Sequence, residues 1–328
     1  MAQKLVILNL IVISLILSSS CSMFQRIGIG VASDMFYDAS LEMETEANYE
    51  NFKNGLLPQL KMLEGLLSLK PHDEGLKITL TKGYAAYAFA VNETAYLADY
   101  YAENEKTENI NQGIFNYSKA LGYGLSWLKQ EGVTYGDLKK AINTDNGVVK
   151  LLSDNVGDDP QELEGVVFTA QSLAGLINFQ KDNMSLVSQL AIAKGMFDYA
   201  CGINLNLANG ICQMFFGAYE AGRPSMLGGN PEKGKQIFLK LIKSQPDNWL
   251  ARVAYIQFYL IPQGDEDGYK TQRLYMEKYK RLAMEEMKWN PSSKAQNNSA
   301  FKRKKIRFYQ ALAIERYNII SKYEKDLF

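Results

Sequence analysis

Apolar residues recur every three or four positions along almost the whole chain after Cys21. This spacing is typical of amphipathic helices, and no stretch alternates convincingly between apolar and polar residues as a half-buried strand does. Only eight prolines occur in 328 residues, which leaves room for long helices. The sequence therefore predicts an all-α fold. The predicted helices cover residues 34–44, 46–69, 73–103, 107–131, 160–181, 185–203, 207–221, 231–245, 247–262, 269–289 and 298–326.

Several of these helices share one ending, which indicates a repeated helix pair. Apolar residues stand eight and four positions before Pro71, Asn204, Pro246 and Pro291. A helix that ends at such a turn and leads into a second helix is the plan of tetratricopeptide (TPR) repeats. Because one pair cannot bury both of its faces, neighbouring pairs must stack. We therefore expect a TPR-like array forming a compact bundle or solenoid, with an ordinary irregular helical domain as the alternative.

Two local patterns place parts of this array. The predicted helix 73–103 is apolar on more than one side, so we expect it in the middle of the bundle. The helix near residue 231 has a clear start, because Asn230 can cap it and Pro231 suits its first turn. The longest irregular region is predicted at 143–160.

The N-terminus has the pattern of an export signal. Lys4 precedes an apolar run from Leu5 to Leu17, which is shorter than the roughly 20 residues that a membrane-spanning helix needs. Small serines and then Cys21 follow, a pattern typical of a secretion signal. The cysteine resembles that of the bacterial lipobox, which becomes the lipidated first residue of the mature protein. A plain secretory signal with an unrelated cysteine is the alternative.

The lipobox resemblance sets the predicted domains and location. Ser22, rather than an aspartate, follows Cys21, and by the sorting rule of many Gram-negative lipoproteins this favours the outer membrane. We expect an outer-membrane protein that is lipid-anchored through Cys21 and faces the periplasm. The predicted divisions are a lipoprotein signal peptide at 1–20, a lipidated tether at 21–33 and a TPR-like all-helical domain at 34–328.

The two remaining cysteines are Cys201 and Cys212. An exported protein can form a disulfide, and both residues are predicted near one helix-turn-helix. Their offset along an antiparallel hairpin nevertheless looks too large for the required Cα separation. We therefore favour two small buried hydrophobic residues over a bridge.

A catalytic or metal-binding motif is not found in the sequence. The single histidine, His72, lies in a predicted turn, and the cysteines do not have zinc-site spacing. The pattern Gly28-Ile29-Gly30 lacks the third glycine of a dinucleotide loop, and no strand precedes it. We expect no catalytic residues, no metal, no cofactor and no enzymatic activity. The zero formal net charge gives no reason to expect nucleic-acid binding.

The basic run from Lys302 to Arg307 is predicted on the last helix. A solvated helix face is the favoured interpretation, and contact with an acidic partner or a lipid phosphate is the alternative.

Tyrosine is abundant, with 20 copies. Aromatic residues on helices expected to line a groove or channel suit a hydrophobic or amphiphilic ligand, although core packing explains each one singly. The predicted ligand-binding residues are Tyr84, Tyr87, Phe215, Phe216 and Tyr219.

Several segments together resemble one known family. The segments are Leu57 to Leu67 followed by Pro71, Gly83 to Ala90, Tyr117 to Leu125, Phe216 to Tyr219, Arg223-Pro224, Leu227 to Gly234, and the C-terminal Lys325 to Phe328. They are similar to the T-component of tripartite ATP-independent periplasmic (TRAP) transporters. The resemblance implies a lipid-anchored, TPR-like protein that associates with the periplasmic solute-binding protein of such a transporter. It also implies a homotrimer with a hydrophobic crevice, and organic acids or hydrophobic molecules as cargo. A TPR-like scaffold lipoprotein in outer-membrane assembly is the alternative function.

Overall fold

The computed structural model describes residues 36–104, 108–223, 225–288 and 299–328, and of Leu227 the backbone alone. Within these ranges the chain forms helices and turns but no strand, which confirms the all-α prediction. Cys21, the predicted signal peptide and tether, and the Gly28-Ile29-Gly30 pattern lie outside the described residues. Across the described residues, no helix combines the length and the apolar character needed to cross a membrane.

The helices are named α1 to α17 in chain order. Helix α1 covers residues 36–42, and the 3₁₀ turn Met43–Thr45 follows it. The other bounds are α2 Tyr49–Leu69, α3 Glu74–Tyr87, α4 Glu93–Tyr101, α5 Glu108–Gln130, α6 Tyr135–Ala141, α7 Gly147–Ser153, α8 Pro160–Phe179, α9 Met184–Val187, α10 Leu190–Ile203, α11 Ile211–Gly222, α12 Pro231–Ser244, α13 Trp249–Tyr255, α14 Ile261–Gln263, α15 Glu266–Glu286, α16 Arg307–Lys322 and α17 Glu324–Leu327.

The helix ends predicted from the proline and asparagine turns agree with the structure. Helices α2, α10 and α12 end immediately before the turns at Pro71, Asn204 and Pro246, while Pro291 lies outside the described residues. The Asn230 side chain accepts from the backbone N–H of Lys233 at 3.0 Å, and Pro231 is the first residue of α12. The cap and proline predicted for this helix are therefore confirmed. The TPR-like character of the array remains a prediction.

Helices α3 and α4 form one continuous rod at the centre of the molecule, as the sequence predicts. They are joined by a π-helical segment, Ala88–Asn92, and α3 packs against α2, α5 and α8. Close packing between α5 and α8 depends on small residues. A Cβ atom on Gly175 would lie 2.3 Å from the Tyr117 ring, so a larger residue there would force the two helices apart.

The buried apolar residues form two main clusters on either side of this rod. The first joins α2 and α3 to the C-terminal helices α12 to α16, with Leu60, Phe238 and Trp249 among its members. The second lies among the middle helices α5 to α11 and includes Trp127 and Phe197. The N-terminal helices therefore pack against the C-terminal ones across the sequence.

The structure corrects the prediction of a long irregular region at 143–160. Helix α6 ends at Ala141 and α7 covers Gly147–Ser153, so the irregular parts are the turn residues 142–146 and the residues between Ser153 and Pro160. The signals for α6 were a capping box formed by Thr134 and Asp137, and those for α7 were Val148 and Leu152 at helical spacing. Both helices are too short for a periodicity search over a longer window.

The last predicted helix, 298–326, is also wrong as a single element. The 3₁₀ turns Ser299–Phe301 and Lys304–Ile306 precede α16, so most of the basic run lies in or between these turns, and only Arg307 belongs to the helix. Arg303 forms an ion pair with Asp247, and Arg307 forms one with Glu286 at 2.9 Å. Part of the run therefore holds the C-terminal region in place.

Cys201 and Cys212 form a disulfide, which overturns the preference for two unbridged residues. Their Cα atoms lie 5.8 Å apart. The predicted offset was wrong because the connection between α10 and α11 is compact. Ala208, Asn209 and Gly210 all have positive φ, so α11 begins abruptly and its first turn lies beside the last turn of α10.

Candidate functional site

An internal cavity of about 650 Å³ is the main candidate site. Its lining is largely apolar and draws on both core clusters. The walls come from α1 and the turn after it, α2, α3, α8, α11, α13 and α16. Lining residues that represent these walls are Phe36, Met43, Leu56, Leu60, Ala86, Phe168, Ile177, Met214, Phe215, Ala254 and Leu312.

The central rod shows that the cavity is elongated. The residues of α3, the π-helical segment and α4 that line it run from Thr79 to Glu93 through positions three or four apart. At a rise of 1.5 Å per residue, this stripe extends about 20 Å along the helix axis. The cavity therefore has the shape of a tunnel beside the rod rather than that of a compact pocket. Exposed members of its lining, Gln59, Met62, Asn178 and Lys181, connect it to the surface.

The segment after the predicted tether forms one wall of the cavity. Phe36 and Met43 contribute apolar surface, and Glu44 contributes a carboxylate. Glu44 lies 3.2 Å from Nζ of Lys82, and its Oε2 accepts from the side-chain amide of Asn209 at 3.1 Å. This wall is therefore attached to the body by polar contacts rather than by apolar packing alone.

Lys82 is a buried cation between two carboxylates. Its Nζ lies 2.8 Å from Glu164 on α8 as well as 3.2 Å from Glu44, and Tyr37 donates to Glu164 at 3.1 Å. Burial alone would lower the pKa of Lys82, but the two carboxylates outweigh burial and raise it. Burial raises the pKa of Glu44, partly offset by Lys82. The lysine therefore stays charged, and the group carries two acidic residues for one basic residue.

Arg316 lies farther along the rod. Its Nε donates to Oγ1 of Thr94 at 2.9 Å, and its Nη2 donates to the carbonyl of Phe89 and lies 3.6 Å from Glu93. Lys82 and Glu93 are separated by eleven residues, or about 16 Å along the helix axis. The two charged groups of the cavity therefore lie at well-separated positions.

The π-helical segment explains why an arginine is buried here. A π-helical turn leaves backbone carbonyls without their usual helical partners. In this segment the carbonyl of Phe89 accepts from Arg316 and that of Ala90 accepts from Tyr49 at 2.9 Å. The guanidinium also lies 4.1 Å from the centre of the Phe89 ring. Arg316 thus ties the C-terminal helix α16 to the central rod.

The predicted ligand-binding residues fall into two groups. Phe215 and Tyr219 on α11 line the cavity. Tyr84, Tyr87 and Phe216 are not part of the lining: Tyr84 is fully buried in the first cluster, Tyr87 packs against that cluster, and Phe216 packs against the second. Ligand binding by any of these residues remains a prediction.

Sequence reasoning missed the polar residues of the cavity. Lys82 and Glu93 lie on a helix predicted to be buried on all sides, and a charged residue on such a helix needs a buried partner. A charged residue on a helix predicted to be buried could therefore have identified both residues as members of a buried polar group. No comparable signal marked Arg316, since its partner group arises from the π-helical segment.

A second polar cluster explains the position of Tyr84. The carboxylate of Glu64 accepts from Lys61 at 2.6 Å, from Tyr84 at 2.8 Å and from Tyr123 at 2.9 Å, and it also pairs with Lys119. Burial would raise the pKa of Glu64, but the hydrogen bonds outweigh burial and lower the pKa to about 2. The cluster joins α2, α3 and α5 outside the cavity.

His72 and the acidic side chains were the remaining candidates for catalysis or metal binding. His72 is exposed in the turn between α2 and α3, as predicted. In the described ranges, no set of three or more His, Cys, Asp or Glu side chains is arranged to hold a metal ion.

The fold and the cavity define a class, that of an all-α protein with an elongated internal apolar cavity. The chain belongs to the TRAP transporter T-component family, whose family model matches residues 46–278. This match confirms the resemblance drawn from the sequence motifs, and it makes the protein an accessory component of a TRAP-type transport system. No curated protein matches the chain. The matched range contains most of the cavity walls, while α1 and Arg316 lie outside it.

The Glu64 cluster generates a prediction about stability. Replacing Glu64 by Gln should lower the free energy of unfolding by about 1.5–3 kcal/mol, because two tyrosine and two lysine donors lose a charged acceptor. The pKa of Glu64 is lowered in the folded protein, so its contribution is present above the unfolded pKa and is lost as the pH falls from about 4.5 towards 2. Urea unfolding at pH 7 and at pH 3 measures both effects.

The control for this variant is Glu50→Gln, since Glu50 forms only an exposed pair with Lys53 on the same helix. Equal stability of the two variants at pH 7, or a Glu64→Gln deficit that does not shrink at pH 3, would contradict the assigned role.

Proposed function

We propose that this protein is the lipid-anchored periplasmic T-component of a TRAP-type transport system. In this proposal it docks the periplasmic solute-binding protein of the system and holds a hydrophobic or organic-acid ligand in its internal cavity. The array is TPR-like, Cys21 carries the lipid anchor in the outer membrane, and the protein assembles as a homotrimer. The observation that carries the proposal is the family match together with the elongated apolar cavity.

The cavity supports a role in handling a ligand. A volume of about 650 Å³ lies within the range of about 300–1,000 Å³ that small-molecule sites occupy. Its walls are mostly apolar, and its few polar side chains are placed at separate points, as orienting groups in such sites are. A scaffold protein needs binding surfaces but no internal tunnel, so the cavity favours the transport role over the scaffold role.

The polar groups of the cavity support binding rather than catalysis. Lys82 is paired with Glu44 and Glu164, and Arg316 is hydrogen-bonded to Thr94 and to a backbone carbonyl. A nucleophile beside a base, the arrangement expected for covalent catalysis, is not part of either group. We therefore propose that the protein acts without chemistry of its own.

Docking can be tested with the periplasmic solute-binding protein of a TRAP system from the same source as this chain. The immobilised protein should retain that binding protein at micromolar concentration, as a transient transport complex requires. An unrelated periplasmic binding protein of similar size and charge is the control. Failure to retain the cognate protein above this control, with and without its solute, would count decisively against the T-component role proposed here.

The anchor can be tested separately through Cys21. In cells that process lipoproteins, the native protein should fractionate with the outer membrane. A Cys21→Ala variant whose first 20 residues are replaced by a cleavable, non-lipoprotein signal peptide should be released into the periplasm, because it lacks acyl chains, which contribute about 0.8 kcal/mol per buried CH₂. Fractionation and the mass of the N-terminal peptide provide the readouts. Continued membrane association of Cys21→Ala, or an N-terminal peptide without acyl chains in the native protein, would refute the anchor.

A further inference from the structure

The guanidinium of Arg316 has one nitrogen that the protein does not use. The residue is 2% exposed and lines the cavity. Nε and Nη2 have the partners Thr94, Phe89 and Glu93, but among the described residues no oxygen accepts a hydrogen bond from Nη1. Nη1 is also not one of the fully enclosed atoms that lack a partner. It therefore faces open space, and the space beside this buried residue is the cavity.

The charges along the cavity are unequal. Near Glu93, the lining carries two cations, Arg316 and Lys181, for one carboxylate. Burial raises the pKa of Glu93, and Arg316 and, to a smaller extent, Lys181 oppose this effect. Near Lys82, the balance is reversed, since Glu44 and Glu164 face one lysine. One end of the tunnel therefore favours a negative group, and the other disfavours it.

The close contacts of Glu93 are with Tyr117 and with Nη2 of Arg316. Tyr117 donates to its Oε1 at 2.6 Å, and its Oε2 is 3.6 Å from Nη2 of Arg316 rather than from Nη1. A ligand acceptor at Nη1 therefore does not need to displace Glu93.

We propose that Arg316 is the specificity-determining anchor of the cavity and binds the carboxylate of an amphiphilic ligand whose aliphatic tail extends along α3 towards Lys82. This inference rests on the proposed ligand-binding function and deepens it.

The head group is a monoanion for two reasons. A neutral amphiphile such as an alcohol would leave the excess positive charge at this end without a counter-charge. A phosphate monoester carries about −1.5 to −2 at neutral pH, more than the single excess cation can balance. The apolar walls from Phe89 to Ala86 and Leu60 suit a tail without further polar groups.

The test compares two probes that differ only in the head group, palmitate and hexadecanol. Both compete with Nile red, a neutral fluorescent dye, for the purified protein freed of bound lipid. For the native protein, we expect palmitate to bind at least tenfold more tightly than hexadecanol, because a charge-assisted hydrogen bond forms in a water-poor site. In Arg316→Gln this ratio should fall to about one, with hexadecanol affinity changed little. Arg316→Lys should give an intermediate ratio.

Arg252→Gln is the matched control. Arg252 is also a buried arginine on an apolar helix, with Gln272 as a partner, but it does not line the cavity. This variant should keep the native ratio of palmitate to hexadecanol affinity. If Arg316→Gln does not fold, Glu93→Gln replaces it, and removing this nearby negative charge should raise the palmitate preference.

The outcomes separate this inference from the proposed function. If both probes bind equally to the native protein, or if the preference is unchanged in the variants at Arg316 and Glu93, Arg316 does not bind a ligand carboxylate. The proposal of a hydrophobic ligand-binding cavity is unaffected by that result. If neither probe displaces Nile red and the dye itself does not bind, the ligand-binding function fails as well.

Discussion

The burial of the central rod, formed by α3, the π-helical segment and α4, is the constraint on which the rest of the structure depends. A polar side chain on a helix covered on all sides must find a partner inside the protein, since an unpaired buried charge is very costly. Lys82 meets Glu44 and Glu164, and Glu93 meets Tyr117 and Arg316. Each of these pairings joins the rod to a different part of the chain.

The pairings also explain why the cavity remains open. Apolar side chains alone would be expected to close around an empty space, because close packing adds dispersion contacts. Here the α1 wall is attached at Lys82 and α16 is attached at Arg316, so the walls are fixed at positions set by polar geometry. Elsewhere the lining is mostly apolar, although Gln171 on α8 also lines the cavity and its buried Oε1 has no partner among the described residues. The polar contacts of Lys82 and Arg316 therefore attach the wall helices to the rod and also fix the width of the tunnel between them.

Helical periodicity was sufficient to predict the all-α fold, most helix ends and the central position of the rod. The cap at Asn230 and the turns at Pro71 and Pro246 are local features, and local chemistry decides them. The disulfide was mispredicted because Ala208 and Asn209 adopt a left-handed conformation. This conformation is uncommon for residues other than glycine, so the sequence did not predict it. Helices α6 and α7 were missed because each spans only seven residues.

The candidate site was harder to predict than the fold. The ligand-binding residues were predicted from their aromatic character alone. In the structure Phe215 and Tyr219 line the cavity, whereas Tyr84 hydrogen-bonds to Glu64 outside it. Which face of a helix meets a cavity depends on how distant helices pack, and one sequence does not show this. Lys82 and Glu93 could have been identified as charges on a buried helix, whereas Arg316 depends on contacts across more than two hundred residues.

The central claim is that the tunnel beside the rod holds a ligand, and mass spectrometry of small molecules carried through purification tests it most directly. The comparison uses Ala86→Phe, which places a ring in the cavity, and Ala98→Phe, which lies on the same rod outside the lining. We expect a hydrophobic or amphiphilic molecule to co-purify in near-stoichiometric amount with the native protein and Ala98→Phe, and to be depleted from Ala86→Phe. Equal recovery from all three proteins, with Ala86→Phe folded, would contradict the account.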